Sequence, residues 1–173
     1  MKKVIRCEWA NSSVEIQKYH DNEWGIPVHN DRVHFEFLIL EAAQAGLTWA
    51  TILKRRKGYK KAFANFDPKK VAAFDNSKVK ELMENLAIIR NRLKIEAVIN
   101  NANCFFKIQE EFGTFDLYIW RFTNNKVINN NLKSINQIPS KSDLSNKISR
   151  DLKSRGFKFV GATIIYAYIK LLA

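Results

Sequence analysis

The chain has 173 residues, of which 46% are hydrophobic and 27% are charged, and its formal net charge at pH 7 is +12. This composition suits one globular domain and excludes fibrous and disordered proteins. No window approaches the roughly 18 consecutive apolar residues of a membrane-spanning helix, and the start MKKVIRCEWANSS lacks the apolar run of a secretory signal. We therefore expect a cytoplasmic protein with no membrane partner.

The net positive charge favours a polyanionic partner, and nucleic acid is the first choice. The charge alone is weak evidence for such a partner. The chain is rich in lysine and asparagine together, with 20 Lys, 9 Arg and 17 Asn, a composition that A·T-rich genomes tend to encode.

The first clear helix is predicted from about residue 31 to 45. Asp31 is the expected N-cap, the apolar residues follow helical spacing, and Gly46 ends the run. Glu41 is a lone carboxylate in this nearly all-apolar helix. A carboxylate in such a place reaches solvent, pairs with a cation, or has a functional role.

Helix start and stop signals continue along the chain. The pair Asp67–Pro68 has the pattern of an N-cap followed by the first helical residue, and Ser77 is the expected N-cap of the next helix. A long helix is predicted to begin at Arg92 and to end at Gly113.

The last third of the chain is predicted to hold a short aromatic helix over 115–122, a polar loop over 123–143, and two more helices. The first of these is capped by Ser142 and ends at Gly156, and the second begins near Gly161. No alternating segment is long enough for a confident strand, so the sequence predicts an all-α fold.

The segment LKSRGFKFVGATIIYAY reads as helix, glycine turn, helix. Gly156 and Gly161 would let the backbone approach a partner closely, and the N–H groups of Gly161 to Thr163 would face an anion such as a phosphate. Lys158 adds positive charge to the turn. The alternative is an ordinary αα-hairpin with surface lysines.

Aromatic residues are concentrated near the N-terminus. Trp9, Trp24 and Trp49 are three of the four tryptophans, and Tyr19 and Glu41 lie in the same stretch. Aromatic rings grouped with one carboxylate in a basic protein indicate a pocket that stacks a planar base and reads its edge. Burial in the core would explain the tryptophans equally well, but not Glu41.

The segments RCEW, YHDNEWG, LEAAQAGLTW, AIIRNRLKIEAVINNA and RGFKFVGATIIYAY, in order from Arg6 to Tyr168, resemble the bacterial type I 3-methyladenine DNA glycosylases of the helix-hairpin-helix superfamily. The resemblance implies one all-α domain over 1–173, with two lobes, a lesion pocket between them and a helix-hairpin-helix element near 152–165. It also implies a monomeric, monofunctional enzyme that excises 3-methyladenine hydrolytically from double-stranded alkylated DNA.

The resemblance assigns roles to the aromatic and acidic residues. Glu41 matches the glutamate that recognises the flipped base, with stabilisation of an oxocarbenium or orientation of water as a secondary role. Trp49 matches the stacking tryptophan, Tyr19 lines the pocket, and Trp9 and Trp24 match its wall. On the DNA side, Leu47 matches a wedge that fills the gap left by the extruded nucleotide, and the glycine turn grips the backbone.

The chemistry agrees with these roles. Methylation at N3 leaves the adenine cationic and a good leaving group, so the protein must mainly extrude the nucleotide and select the cation. An indole face favours a cation by roughly 0.5 to 2 kcal/mol, and an ionised Glu41 would accept a hydrogen bond from the base. No acid follows Gly161 to serve as the catalytic aspartate of other superfamily members, and no motif segment places a Schiff-base lysine at the pocket.

Cys7 and His20 match two of the four ligands of a structural zinc site found in many family members. The other two ligands would follow the last helix, where this sequence stops, so we expect either a truncated sequence or a protein without the metal. His29, His34 and Cys104 have no spacing that argues for ligation. A buried Cys7 and a packing or capping His20 are the alternative.

Two departures from the family pattern keep other functions open. Ile16 replaces a tyrosine, and Ala42 stands where a glycine is usual. The alternatives are a non-catalytic module that binds damaged DNA and a glycosylase for another alkylated base.

Overall fold

A computed structural model describes residues 6–129 and 137–170, and in these residues it contains helices and no strand. The prediction of an all-α fold is confirmed. The helices are α1 (Val14–Asn22), α2 (Asp31–Gln44), α3 (Trp49–Ala62), α4 (Pro68–Ala72), α5 (Asn76–Glu84), α6 (Arg92–Phe112), α7 (Phe115–Trp120), α8 (Asp143–Ser154) and α9 (Ala162–Lys170). The division into two lobes stays a prediction.

Helix α2 is the central element, and it packs against α3, α6, α7 and α9. Its N-cap is Asn30, whose side chain accepts hydrogen bonds from the N–H groups of Arg32 and Val33, so the prediction of Asp31 as the cap was wrong. Asp31 is the first helical residue, and its carboxylate instead accepts from the N–H groups of Phe115 and Asp116. The acid at this position therefore joins α2 to the start of α7 rather than capping its own helix.

The other helix starts test the same capping rules. Asp67 caps α4 with Pro68 at the first helical position, as predicted. Ser77 does not cap α5, because Asp75 does so by accepting from the N–H of Lys78. An aspartate in extended backbone two residues earlier satisfies the same free N–H groups, which explains the shift.

The ends of the later helices follow the prediction closely. Gly113 ends α6 with φ +85°, and the side chain of Ser142 caps α8. Helix α7 is shorter than predicted, since the chain tightens after Trp120 into a 3₁₀ turn over Arg121–Thr123. Part of the predicted polar loop, residues 130–136, lies outside the described residues.

A buried polar network fixes the N-terminal half of α2. His34 is fully buried, with Nε2 3.0 Å from Asp116 Oδ1 and Nδ1 2.9 Å from the hydroxyl of Tyr168. Burial lowers the pKa of His34. A neutral imidazole that donates to Asp116 and accepts from Tyr168 satisfies all three groups, so α2 is held between α7 and α9.

Helix α3 meets the turn before α6 at very close range. A Cβ at Gly58 would overlap the carbonyl of Ala87 and lie 2.7 Å from its Cβ. One residue along, the hydroxyl of Tyr59 accepts from the N–H of Ile89 at 3.2 Å. Gly58 is therefore required by packing. None of the described helices is long and apolar enough to cross a bilayer.

Candidate active site

Glu41 occupies the last turn of α2 and is 4% exposed. Its carboxyl makes no hydrogen bond to any residue that the structure describes. A buried carboxyl without a partner costs free energy, so its presence calls for a ligand or a function. The prediction that Glu41 lies on an apolar helix is confirmed, and at 4% exposure its side chain is largely withdrawn from solvent.

Burial raises the pKa of Glu41 to about 8, and the positive charge of Lys170 lowers it slightly. Most of this carboxyl is therefore protonated at pH 7, which differs from the ionised form assumed in the sequence analysis. Burial in turn lowers the pKa of Lys170, whose ammonium lies 4.3 Å from the ring centroid of Tyr166. The cation acts on Glu41 through space and forms no ion pair with it among the described residues.

Tyr19 and Trp49 join Glu41 in one cluster built by the first three helices. Tyr19 comes from α1, and its ring centroid lies 5.3 Å from that of Trp49, the first residue of α3. Burial, and then the charge of Glu41, raise the pKa of Tyr19, so its hydroxyl keeps its proton. The indole Nε1 of Trp49 is buried and has no hydrogen-bond partner in the described part of the chain.

Trp9 and Trp24 form a second layer behind this cluster. The ring of Trp9 lies 6.4 Å from Tyr19 and 5.3 Å from Trp24, and Trp24 stacks on His20 at 5.4 Å. Trp24 thus reaches the pocket through Trp9. The structure brings together four of the predicted pocket residues directly, and the fifth indirectly.

The turn after α2 presents Leu47 to solvent. Leu47 is 39% exposed and follows Gly46, whose φ of +77° a residue with a side chain adopts only with strain. The ammonium of Lys94, from α6, donates to the carbonyls of Ala43 and Ala45 at 2.9 and 2.6 Å. We call residues 45–47 the wedge turn.

The turn between α8 and α9, residues 155–161, carries the other predicted contacts with DNA. Gly156 has φ +91°, so its conformation requires glycine. A Cβ at Gly161 would meet nothing within 4 Å, so neither backbone conformation nor packing requires glycine there. Lys158 and Thr163 are exposed beside it. We call this segment the α8–α9 turn.

The chain is similar to known proteins over nearly its whole length. The family model for methyladenine glycosylase matches residues 9–172. DNA-3-methyladenine glycosylase 1 of Escherichia coli K12 is 39% identical over 165 residues, which cover 95% of this chain and 88% of that protein. The DNA-3-methyladenine glycosylase of Haemophilus influenzae is 39% identical over 167 residues, covering 96% and 90%. The chain belongs to the methyladenine glycosylase family.

Solved structures of similar proteins share the fold. A crystal structure of 3-methyladenine DNA glycosylase I has a TM-score of 0.94 and 38% identity, covering 97% of this chain and 92% of that one. A structure describing 3-methyladenine recognition by the enzyme of Staphylococcus aureus has a TM-score of 0.93 and 32% identity, covering 96% and 89%.

Both departures from the methyladenine glycosylase pattern are buried. Ile16 lies one turn before Tyr19 on α1 and is 4% exposed, and Ala42, next to Glu41, is 5% exposed. Ile16 brings no hydroxyl to its site, and Ala42 adds only a methyl group. Neither side chain therefore adds a hydrogen-bonding group at its position.

The pair Cys7 and His20 does not by itself fit a zinc ion. His20 Nε2 lies 3.4 Å from the backbone N–H of Cys7, which donates to it, and Nδ1 lies 3.0 Å from Asp21 Oδ1. No group of three or more His, Cys, Asp or Glu side chains in the described ranges could hold a metal. A structural zinc site needs four ligands, so the zinc site stays a prediction.

Three residues of this methyladenine glycosylase were missed by the sequence analysis: Lys94, Asn101 and Lys170. Lys94 and Asn101 lie inside the quoted segment AIIRNRLKIEAVINNA, where the available signal was a polar Asn101 between the apolar positions Val98 and Ala102 of the predicted helix. Lys170 lies two residues beyond the last motif, and nothing in its surroundings in the sequence distinguishes it from a surface lysine.

Proposed function

We propose that the chain is a monofunctional DNA glycosylase that extrudes 3-methyladenine from double-stranded DNA and hydrolyses its glycosidic bond. The observation that supports this most directly is the buried, unpartnered carboxyl of Glu41 beside the Tyr19–Trp49 pair. The names of the relatives point to the same substrate. The alternative of a non-catalytic module rests only on the departures at Ile16 and Ala42.

The raised pKa of Glu41 suits selection of a cationic base. In the empty pocket the carboxyl is mostly neutral because its pKa is about 8. A 3-methyladenine cation that enters brings the charge that an ionised carboxylate needs, so Glu41 loses its proton and accepts a hydrogen bond from the exocyclic amine. Neutral adenine brings no such charge, and leaves the carboxyl in its protonated form.

Trp49 is proposed to stack on the extruded base. Its ring is held by Tyr19, so little side-chain entropy remains to be lost when the base binds. The electron-rich indole favours a cation over a neutral ring by roughly 0.5 to 2 kcal/mol. Trp49 and Glu41 thus select the charge by two independent contacts.

Hydrolysis requires modest help, because the cationic base is already a good leaving group. As the bond to the sugar breaks, the positive charge passes from the base to the sugar as an oxocarbenium, and an ionised Glu41 stabilises both charges in turn. Water then adds to the sugar carbon and releases a proton. Lys170 beside the pocket is the one described candidate for a competing Schiff-base step, which a borohydride trap would detect.

The DNA-binding surface is proposed to combine the wedge turn with the α8–α9 turn. We assign α8, this turn and α9 to the helix-hairpin-helix element. At the start of α9, the N–H groups before Ile165 have no partner within the helix, and the empty space at Gly161 admits a phosphate. Lys158 adds charge, and Leu47 is placed to fill the gap left by the nucleotide. We propose that the chain acts as a monomer in the bacterial cytoplasm.

The test is chromatography of the free bases that the purified chain releases from methylated duplex DNA. We expect 3-methyladenine from the native chain, and little or none from Glu41→Gln. Binding to duplex without base release would favour the non-catalytic module, and release of a different base would reassign the lesion. A parallel sample with EDTA tests the zinc prediction, since loss of activity or of melting temperature there would show that a metal is required.

A further inference from the structure

We propose that Lys94 and Asn101 are positioning residues that fix the wedge turn and the α8–α9 turn at one distance along α6. This inference rests on the proposed function, because it concerns how the two turns act on DNA together. Neither residue is proposed to touch the DNA.

Lys94 anchors the wedge turn. Its half-buried ammonium donates to two carbonyls, those of Ala43 and Ala45, on either side of the end of α2. The last carbonyls of a helix have no partner within it, so a lysine here completes the end of α2. Gly46 and Leu47 follow directly, so the position of Leu47 depends on this contact.

Asn101 anchors the α8–α9 turn. Its side-chain oxygen accepts from the N–H of Lys158 at 2.8 Å, and its side-chain nitrogen donates to the carbonyl of Lys158 at 2.9 Å. The neighbouring Asn100 donates to the carbonyl of Gly156 at 2.8 Å. Two consecutive asparagines of α6 therefore hold the backbone on which Lys158 is carried.

The anchored turn contains a strained residue. Phe159 has φ +55°, which an aromatic residue rarely adopts. On one side Lys158 is held by Asn101, and on the other the buried hydroxyl of Ser149 donates to the carbonyl of Val160 at 2.7 Å. Such a conformation persists only when its surroundings determine it, so these contacts fix the direction of the N–H groups that follow.

Helix α6 sets the spacing between the two anchors. Lys94 and Asn101 are seven residues apart, hence on the same face and about 10 Å apart along the axis. Neighbouring side chains of this helix, Ile95 and Val98, are buried in the core. The helix is therefore a rigid spacer between the wedge and the backbone contact.

The spacing matters because extrusion of a nucleotide requires two contacts with the DNA, the wedge and the backbone contact beside it. A wedge displaces a nucleotide only if the backbone beside it is held, and extrusion costs a few kcal/mol. Loss of Asn101 should loosen the grip on every duplex. Loss of Lys94 should leave this grip intact and impair extrusion.

The experiment compares Lys94→Met and Asn101→Ala with matched variants of α6. Lys107→Met removes one exposed lysine, and Asn103→Ala removes an exposed asparagine that bonds only to the carbonyl of Ile99. The readouts are affinity for undamaged duplex against salt concentration, 2-aminopurine fluorescence beside the lesion, and the single-turnover rate of base release at saturating DNA.

For Asn101→Ala we expect a salt slope smaller by about one, and a saturating rate below native because the wedge then acts on a backbone that is less firmly held. For Lys94→Met we expect extrusion and the rate of base release to fall by about tenfold or more. Its salt slope should equal that of Lys107→Met. Ser149→Ala loosens the same turn from the other side and repeats the Asn101 test if Asn101→Ala does not fold.

A native salt slope in both Asn101→Ala and Ser149→Ala, or native extrusion in Lys94→Met, would overturn the inference. A merely structural role would lower the folded fraction and leave the slope of the folded protein unchanged. If the native chain releases no base, the proposed function fails, while the salt slopes and the fluorescence still decide whether the two anchors act.

Discussion

The indole of Trp49 meets the ring of Tyr19 edge to face, with ring centroids 5.3 Å apart. This contact joins α1 to the first residue of α3, while the indole N–H stays buried and unpartnered within the described residues. The pocket therefore has a fixed aromatic wall that carries an unused donor.

Replacing Trp49 by phenylalanine should separate stability from binding. The change removes a buried N–H whose missing partner costs about 1–3 kcal/mol, which offsets the lost apolar contact, so we expect a melting temperature near the native one. Affinity for a permanently cationic base, 3,9-dimethyladenine, should fall by about 0.5–1 kcal/mol, since the phenyl face attracts a cation less. Trp24→Phe is the control, and an equal loss of affinity there would remove Trp49 from the stacking role.

The pKa of Glu41 predicts how cation binding depends on pH. Because this pKa is about 8 in the empty pocket, binding of a cation at lower pH must expel a proton. We expect the affinity for 3,9-dimethyladenine, measured by calorimetry, to fall as the pH decreases from 8 to 6. The Glu41→Gln variant should bind more weakly and without this pH dependence, and its binding to undamaged duplex should stay near native. If the affinity of the variant still depends on pH, the titrating group is not Glu41.

The same pKa predicts how the stability of the folded chain depends on pH. The pKa of Glu41 in the folded chain is raised from 4.5 to about 8. Its contribution to the free energy of unfolding is therefore fully present below pH 4.5 and is lost as the pH rises to 8. At about 1.4 kcal/mol per pKa unit, the loss amounts to about 3–5 kcal/mol. Glu41→Gln should therefore be more stable than the native chain at pH 8 in urea unfolding. Glu110→Gln, an exposed acid on α6, should show no such gain.

Lys158→Ala tests the α8–α9 turn directly. We expect weaker binding to all duplexes, damaged or not, and a salt slope smaller by about one, because one phosphate contact is lost. Lys80→Ala removes another exposed charge, from α5, and serves as the comparison. If both variants reduce the salt slope equally, the α8–α9 turn is not a specific contact with DNA.

Much of the fold could be predicted from local signals. Asp67–Pro68, Gly113 and Ser142 act as predicted because each satisfies free backbone groups within its own turn. The rule failed at Asp31 and Ser77, where another capping residue lay one or two positions earlier. Local sequence names the candidates for a cap, while the path of the preceding chain chooses between them.

The site was predictable in its members but not in its electrostatics. The isolation of Glu41 among apolar residues pointed to burial, which raises its pKa, whereas the opposing charge comes from Lys170, 129 residues later in the chain. The contact of Asn101 with Lys158 spans 57 residues. Partners of this kind are set by how helices pack, which no local pattern encodes.

The close approach at Gly58 has a genetic consequence. Any side chain at this position would push α3 away from Ala87, and α3 begins with Trp49. A mutation there would displace the stacking ring while touching neither lesion nor DNA. Cells that lose alkylation resistance through such a change would carry an intact set of pocket residues, and a screen that sequenced only those residues would overlook the cause.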